Sequence, residues 1–162
     1  MNIISLTKPS KKYIHYGSDH FDKDRFIGIK NCSMPWNKPA CDSGLWASPI
    51  NSKNGWRNWC LRNNFEKQRL EKSFIFELKP EAKILYIRND KELRQALDSG
   101  LLMYKNYASS TRIDDYYMDF EQLVHDGYDA IEIHINSLRI VCGLYGWDCD
   151  SLLVLNPDCI VI

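Results

Sequence analysis

The chain has 162 residues with 21 basic and 21 acidic side chains, so its formal net charge at pH 7 is zero. This length suits one domain over residues 1–162, and a hydrophobic content of 44% with 12% aromatic residues excludes a disordered chain. The balanced charge shows no basic stripe and no acidic tail, so it gives no indication of a nucleic-acid partner, although it does not exclude one.

The cysteines and the first residues bear on the cellular compartment. None of the cysteines forms a C-x-x-C pair, which disfavours a zinc site, so we predict no bound metal. Residues 1–6 are too short for the apolar core of a signal peptide, and no run of about 20 apolar residues exists. We therefore predict a cytoplasmic protein with reduced thiols and no membrane association. Small size and a high content of Asn, Lys and Ile suit a bacterial or phage-encoded protein of conflict systems.

Short strands and loops make up the first part of the chain. The apolar patterns and turn residues predict a strand over 13–18, an apolar run over 25–29, a long loop over 31–43, a strand over 44–47 and a helix over 54–63. On that helix, Trp56, Trp59 and Cys60 share one face, and Ser52 or Asn54 is the expected N-cap.

The second part mixes strands and helices without regular alternation. The predicted elements are strands over 73–78 and 83–87 separated by a turn, a helix over 90–97, a helix over 118–125, a strand over 128–135, a strand over 151–155 and an apolar stub over 159–162. Residues 101–115 fit no pattern. This order favours an α+β fold with antiparallel sheets over a doubly wound parallel sheet. Neither G-x-G-x-x-G nor a P-loop motif is present.

Three groups of residues are candidates for a binding or catalytic site. His15 lies at a predicted strand end before Gly17, where it could donate to a sugar hydroxyl or simply be satisfied within the fold. Trp46, Trp56 and Trp59 could stack on a planar heterocycle or fill a core. Each set alone is compatible with a purely structural role.

Two acidic residues lie on or next to late strands. Asp150 precedes the buried strand over 151–155, where a carboxylate can point into a cleft, whereas Asp148 fits a turn or cap better. Glu132 alternates with Ile131 and Ile133, so it faces either a cleft or solvent.

Taken in order, these segments resemble the ADP-ribosyltransferase superfamily, on the branch of the diphtheria-toxin-like and poly-ADP-ribose-polymerase enzymes. That family has a first strand ending in His-Gly-Ser, and residues 15–18 read His-Tyr-Gly-Ser. Its second motif is an aromatic strand followed by Ser-Lys and an aromatic helix; residues 44–48 read Gly-Leu-Trp-Ala-Ser, and Ser-Lys follows at 52–53. Its third motif is an acid at the start of a late strand, matched by residues 150–157.

The resemblance leaves residues 61–127 uncovered and departs from the family at the acid. Counting back from Val154, the family's glutamate falls on Ser151, with Asp150 one position earlier. Either Asp150 takes that role, or Glu132 does, or the acid is lost and no ADP-ribose is transferred.

The resemblance implies split antiparallel β-sheets with flanking helices, and NAD as the bound dinucleotide. A carboxylate, which we assign to Asp150, would stabilise the oxocarbenium-like transition state, and His15 would hold a ribose hydroxyl. The backbone of Tyr16 or Gly17 would pair with the nicotinamide amide, and two indoles would flank the ring. The residues expected to contact NAD are His15, Tyr16, Gly17, Trp46, Ser48 and Trp56.

Three functions are compatible with this resemblance. The first is transfer of ADP-ribose to a protein or nucleic acid. The second is NAD hydrolysis in the same pocket, and the third is an inactive binding or inhibitor module that keeps the fold. RNA 2′-phosphotransferases share this fold, but the lack of a basic patch disfavours that activity. Acceptor choice is expected to lie in the loops over 31–43 and 101–115.

Overall fold

A computed structural model describes residues 11–32, 38–104, 116–139, 144 and 146–162. Within them the fold is α+β, as the sequence predicts. The strands are β1 (Lys12–Tyr16), β2 (Leu45–Pro49), β3 (Ser73–Leu78), β4 (Ile84–Ile87), β5 (Leu102–Tyr104), β6 (Tyr116–Met118), β7 (Ala130–Ile133), β8 (Ser151–Val154) and β9 (Ile160–Val161). The helices are α1 (Trp56–Asn63), α2 (Asp90–Asp98) and α3 (Phe120–His125). Short 3₁₀ turns lie at Lys23–Arg25, Lys67–Glu71, Ile135–Ser137 and Pro157–Cys159.

Seven strands form one sheet in the order β4-β7-β8-β2-β1-β3-β9, and β5 and β6 form a separate antiparallel pair. Neighbours in the large sheet are antiparallel except β4 and β7, which run parallel. The predicted antiparallel pairing is therefore found between the other described neighbours of this sheet and fails at this edge. The reason is that β4 does not turn back on β3: the chain crosses to the opposite edge and enters beside β7.

The large sheet curls strongly. β1 and β7 are three positions apart, a separation of about 14 Å in a flat sheet. Even so, the Tyr13 hydroxyl donates to Glu132 Oε2 at 2.7 Å, so side chains of the two strands meet across the concave face. The short link between β3 and β4, residues 79–83, also requires these two strands, which are five positions apart in the sheet, to approach each other, because so few residues span only about 20 Å.

Each face of the sheet packs a core. On one face, α2 and α3 bury Leu93, Ala96, Phe120 and Leu123 against strand residues that include Ile131. The concave face packs a second cluster of Tyr13, Ala47, Phe74, Phe76, Ala130, Leu152, Val154 and Cys159. Both faces of β7 and β8 are therefore buried.

The sheet is weakly joined between β1 and β2. Only two residue pairs are in register there, Tyr13 with Pro49 and Ile14 with Ser48. On its other edge, β2 pairs with β8 from Leu45 to Ala47, but these three residues have no partner in register on β1. Register between β1 and β2 thus stops before His15, and a gap opens between the C-terminal end of β1 and the N-terminal end of β2. We call this opening the β1–β2 seam.

Two glycine-containing turns fix the chain around the seam. Gly44 enters β2 with φ of +73°, and a Cβ there would lie 2.7 Å from Ile29 Cδ1 and 2.9 Å from the Val154 carbonyl oxygen. Both the backbone angle and the close approach therefore require glycine. Before α1, the Asp150 amide donates to the Asn54 carbonyl at 2.9 Å, and Gly55 bridges to Asp150. This attachment to β8 explains why the helix begins at Trp56, two residues later than predicted.

No helix of the described residues has the length and apolar character needed to cross a membrane. No disulfide joins the five cysteines within the described ranges, and Cys142 lies outside them.

Candidate functional site

A cavity of about 470 Å³ opens at the β1–β2 seam. Its walls come from the ends of β1 and β2, the start of α1, the approach to β8 and two loops. The lining residues that the sequence singled out are His15, Tyr16, Trp46, Ser48 and Trp56. Gly17, Asp150 and Glu132 are not among the lining residues.

His15 bridges the seam with its side chain. Its Nδ1 lies 2.6 Å from the carbonyl oxygen of Trp46. Because a carbonyl only accepts, Nδ1 carries the proton, and in the neutral ring Nε2 is left as an acceptor. Burial lowers the pKa of His15 from its ordinary value, with Arg69 lowering it further, while the bond to Trp46 partly opposes the shift. The imidazole is therefore neutral near pH 7.

The backbone groups of Tyr16 and Gly17, at the end of β1, face different neighbouring strands. The Gly17 amide donates to the Lys72 carbonyl at 2.9 Å, so that amide is already bonded toward the β3 side. Along an antiparallel strand, bonding groups alternate between the two neighbours. The backbone N–H and C=O of Tyr16 therefore face the β2 side, into the seam. Gly17 itself has φ of +108°, which suits the turn.

The tryptophans divide into wall and core residues. Trp147 is only 2% exposed and packs edge-on against Trp46, with ring centroids 4.8 Å apart. Trp46 and Trp56 are only partly buried and both line the cavity. Trp59 lies behind Trp56, stacked at 5.2 Å with an interplanar angle of 14°. Trp147 is therefore the tryptophan that packs in the core, and it was not among the three that the sequence singled out.

Asp150 is held just behind the cavity wall. It is 6% exposed, and its Oδ2 accepts a hydrogen bond from the Ser52 hydroxyl at 2.8 Å. Its Oδ1 is buried and has no partner within the described part of the chain. The flanking residues Cys149 and Ser151 line the cavity. A buried carboxylate oxygen without a donor is costly and is a common feature of functional sites.

Ser151 takes the position where the resemblance expects a glutamate. Its hydroxyl donates to the Cys149 carbonyl at 2.9 Å and is 7% exposed. No carboxylate occupies that wall position, and the nearest one along the strand belongs to Asp150.

Glu132 lies in a different cluster. It is fully buried, so the solvent-facing alternative is wrong. It accepts from the Lys11 ammonium, from the Tyr13 hydroxyl at 2.7 Å, and from His134 Nε2 at 2.5 Å. Burial alone would raise the pKa of Glu132, but the bonds from His134, Lys11 and Tyr13 outweigh it and lower the pKa to about 2. Because these partners satisfy both of its oxygens, Glu132 acts here as a cross-strand clamp.

A second cavity of about 300 Å³ adjoins the first. The two share Ile14, Tyr16, Ser48 and Trp56, so they form one cleft on either side of the Trp56 indole. Ser52, the hydrogen-bond partner of Asp150, lines the second cavity. Asp150 thus lies between the two parts of the cleft.

The first cavity carries basic side chains that the sequence did not reveal. Arg25, Lys38 and Arg69 line it together with two carboxylates, those of Asp42 and Asp148. These residues come from loops and 3₁₀ turns far apart in the chain, so no local pattern links them. Lys38 is 3.9 Å from Asp148, and its ammonium lies 5.8 Å from the centre of the Trp46 ring.

Comparisons of the chain with family models, with curated proteins and with solved structures gave no match.

Proposed function

We propose that this cleft binds NAD, breaks the bond between nicotinamide and ribose, and transfers ADP-ribose to a macromolecular acceptor. The observation that carries the proposal is the convergence of three distant segments on the β1–β2 seam. The segments supply a neutral imidazole from His15, two indoles from Trp46 and Trp56, and a buried carboxylate from Asp150. Those are the groups that the resemblance to ADP-ribosyltransferases requires, although the described strands form one curled sheet rather than the split sheets that the resemblance implies.

The cleft has the size and chemistry of a dinucleotide site. Its two parts, about 470 and 300 Å³, fall within the range of small-molecule pockets. Trp46 and Trp56 offer aromatic faces to a flat ring. Nε2 of His15 would accept from a ribose hydroxyl, and the backbone of Tyr16 would pair with the carboxamide, because the Gly17 amide is already bonded. Basic side chains such as Arg25 and Arg69 suit the diphosphate.

Asp150 is the residue we assign to charge stabilisation. As the glycosidic bond breaks, its electron pair leaves with neutral nicotinamide, and positive charge develops on the ribose. A fixed carboxylate beside that sugar stabilises the charge. The acceptor then bonds to the anomeric carbon and gives up a proton. Ser52 fixes Oδ2 of Asp150, whereas Oδ1 is buried without a donor behind the wall formed by Cys149 and Ser151, so this role requires that wall to open onto the reacting sugar.

One observation favours a second candidate, a binding module without chemistry. Ser151, not a glutamate, forms the cavity wall at the position that the resemblance assigns to the acid. If Asp150 cannot reach the sugar through that wall, the cleft would bind NAD without cleaving it.

Incubation with NAD separates these functions. The protein would be mixed with NAD labelled on the adenylate and with a cell extract, and free nicotinamide would be measured. Transfer predicts nicotinamide release with the label on a macromolecule. Release without macromolecular label means hydrolysis, and no release with measurable binding means a binding module. If the protein neither releases nicotinamide nor binds NAD, the proposal is refuted.

Substitution of His15 tests NAD binding separately from turnover. We expect His15→Ala to weaken NAD affinity about fivefold, the value of one hydrogen bond of about 1 kcal/mol.

The NAD affinity of the unsubstituted protein should fall only below pH 6.5, because the pKa of His15 lies below that ordinary value and the protonated ring cannot accept a hydrogen bond. Calorimetric titration at several pH values measures both effects. His125→Ala, at a site 82% exposed, is the control, and equal affinities for the two variants would contradict the assigned role.

A further inference from the structure

The second cavity differs from the first in charge. Lys53 and Arg57 line it, and no carboxylate does. Its other polar side chains carry amides or hydroxyls and belong to Asn51, Asn58, Ser48, Ser52 and Tyr16. A site of this composition has charge complementarity to an anion with several acceptor oxygens, such as a phosphodiester.

The basic character extends along α1. Residues 51–65 contain three basic side chains, Lys53, Arg57 and Arg62, and no acidic one. All three are exposed. None forms an ion pair with another described residue, in contrast to Arg69, which is paired with Glu66. The net charge of zero for the whole chain hides this local excess of positive charge, so the absence of a basic patch does not follow from the net charge.

Aromatic side chains accompany these charges. Trp56 and Trp59 stack on each other, and Phe65 packs edge-on against both at 5.9 and 5.4 Å. Phe65 is 42% exposed, and the neighbouring Leu61 is 44% exposed. We call Trp56, Trp59 and Phe65 the aromatic platform. It begins at the wall of the cleft and continues onto the surface.

Aromatic faces beside unpaired cations are the combination that proteins use for single-stranded nucleic acids. Bases stack on aromatic rings, and basic side chains follow the backbone. In a duplex the base faces are hidden, so the platform would have no stacking partner. A protein acceptor would need no run of unpaired cations at this position.

Building on the proposed function, we infer that the acceptor of ADP-ribose is a single-stranded nucleic acid. Its bases stack on the Trp59 and Phe65 end of the aromatic platform, because Trp56 is stacked on Trp59 and flanks the nicotinamide, and its phosphodiesters contact Lys53 and Arg57 in the second cavity. Because that cavity shares Tyr16, Ser48 and Trp56 with the first, a nucleotide bound there lies next to Ser52 and Asp150. The acceptor surface is then α1 rather than the loops over 31–43 and 101–115, which the structure describes only in part.

Binding is tested with fluorescein-labelled 20-nucleotide strands of DNA and of RNA, and with the corresponding duplexes, by anisotropy without NAD. We expect single strands to bind at least tenfold more tightly than duplexes. Lys53→Ala with Arg57→Ala should weaken single-strand binding at least tenfold and reduce the slope of log affinity against log salt by about 1.4. The control is Lys91→Ala with Arg94→Ala on the exposed side of α2, which should leave binding unchanged. Thermal unfolding of each variant confirms that it is folded.

Transfer is tested in the same preparations with adenylate-labelled NAD. We expect label on the oligonucleotide. Comparison of the DNA strand with the RNA strand shows whether the acceptor contains deoxyribose or ribose. Nicotinamide release with no label on either strand, or with label on added protein instead, overturns the inference and leaves the proposed function standing. No nicotinamide release at all overturns the proposed function, and the acceptor role with it. Equal oligonucleotide binding by the Lys53/Arg57 double variant and the unsubstituted protein also overturns the inference.

Discussion

Asp150→Ala is expected to lower nicotinamide release from NAD at least about a hundredfold while leaving the protein folded. The loss follows from removing the carboxylate that offsets the positive charge on the ribose, and preorganised groups of this kind typically supply a factor of about 10² to 10³. Asp150 is buried, and among the described residues its one side-chain partner is the uncharged Ser52, so its removal leaves no described charge unpaired. Single-turnover measurement of nicotinamide release, with thermal unfolding alongside, checks both parts.

Asp150→Asn separates charge from position. The amide has nearly the same shape as the carboxylate and can still accept a hydrogen bond from the Ser52 hydroxyl. The side chain therefore keeps its position while its negative charge is lost. We expect activity close to that of Asp150→Ala. Asp98→Ala, an exposed acid at the end of α2, is the control and should retain full turnover. Full activity of Asp150→Asn would show that this carboxylate does not stabilise the transition state.

Glu132→Ala is expected to reduce the free energy of unfolding by about 3–5 kcal/mol. The substitution leaves the buried Tyr13 hydroxyl and the partly buried His134 without their acceptor, and the exposed Lys11 loses its ion pair; losing a fully buried carboxylate with three such bonds costs about that much. The cluster also joins β1 to β7 across the concave face. Urea unfolding at pH 7 measures the change. The control is Glu77→Ala, whose ion pair with Lys12 is longer, at 3.7 Å, and partly exposed, so it should cost less than about 1 kcal/mol.

The Glu132 cluster also predicts the acid sensitivity of the fold. The pKa of Glu132 is lowered from 4.5 to about 2 in the folded protein, so the cluster contributes fully above pH 4.5. Its contribution, roughly 3 kcal/mol, is lost progressively as the pH falls from 4.5 toward 2. Glu132→Gln should lack this component, and its stability should therefore change less between pH 5 and pH 3. Identical pH profiles for the two proteins would contradict the role of Glu132 as a clamp.

Local patterns in the sequence were sufficient to predict most elements. The alternation around Glu132 predicted β7, and the helix predicted over 90–97 matches α2 within one residue at its end, with Asn89 as the N-cap that the structure shows. These predictions succeed because side-chain periodicity and capping are short-range properties. Bringing His15, Trp46 and Trp56 to one cleft was likewise expected from the order of the motifs.

Long-range features were not predictable in the same way. The parallel entry of β4 beside β7 depends on the curl of the whole sheet. Glu132 could be assigned to a cleft or to solvent because its partners Lys11 and Tyr13 are more than a hundred residues away. The excess of unpaired basic side chains on α1 was hidden because carboxylates elsewhere bring the sum to zero. The first two features depend on contacts between distant segments, whereas the basic excess over residues 51–65 is local in the sequence and is hidden only when charge is summed over the whole chain.

A crystal structure of Asp150→Asn with NAD would show where the dinucleotide binds, because the variant binds it without consuming it. We expect the nicotinamide ring between Trp46 and Trp56, a ribose hydroxyl on Nε2 of His15, and the scissile bond beside residue 150. NAD bound away from the β1–β2 seam, or bound there with its nicotinamide ribose remote from residue 150, would contradict the proposed function.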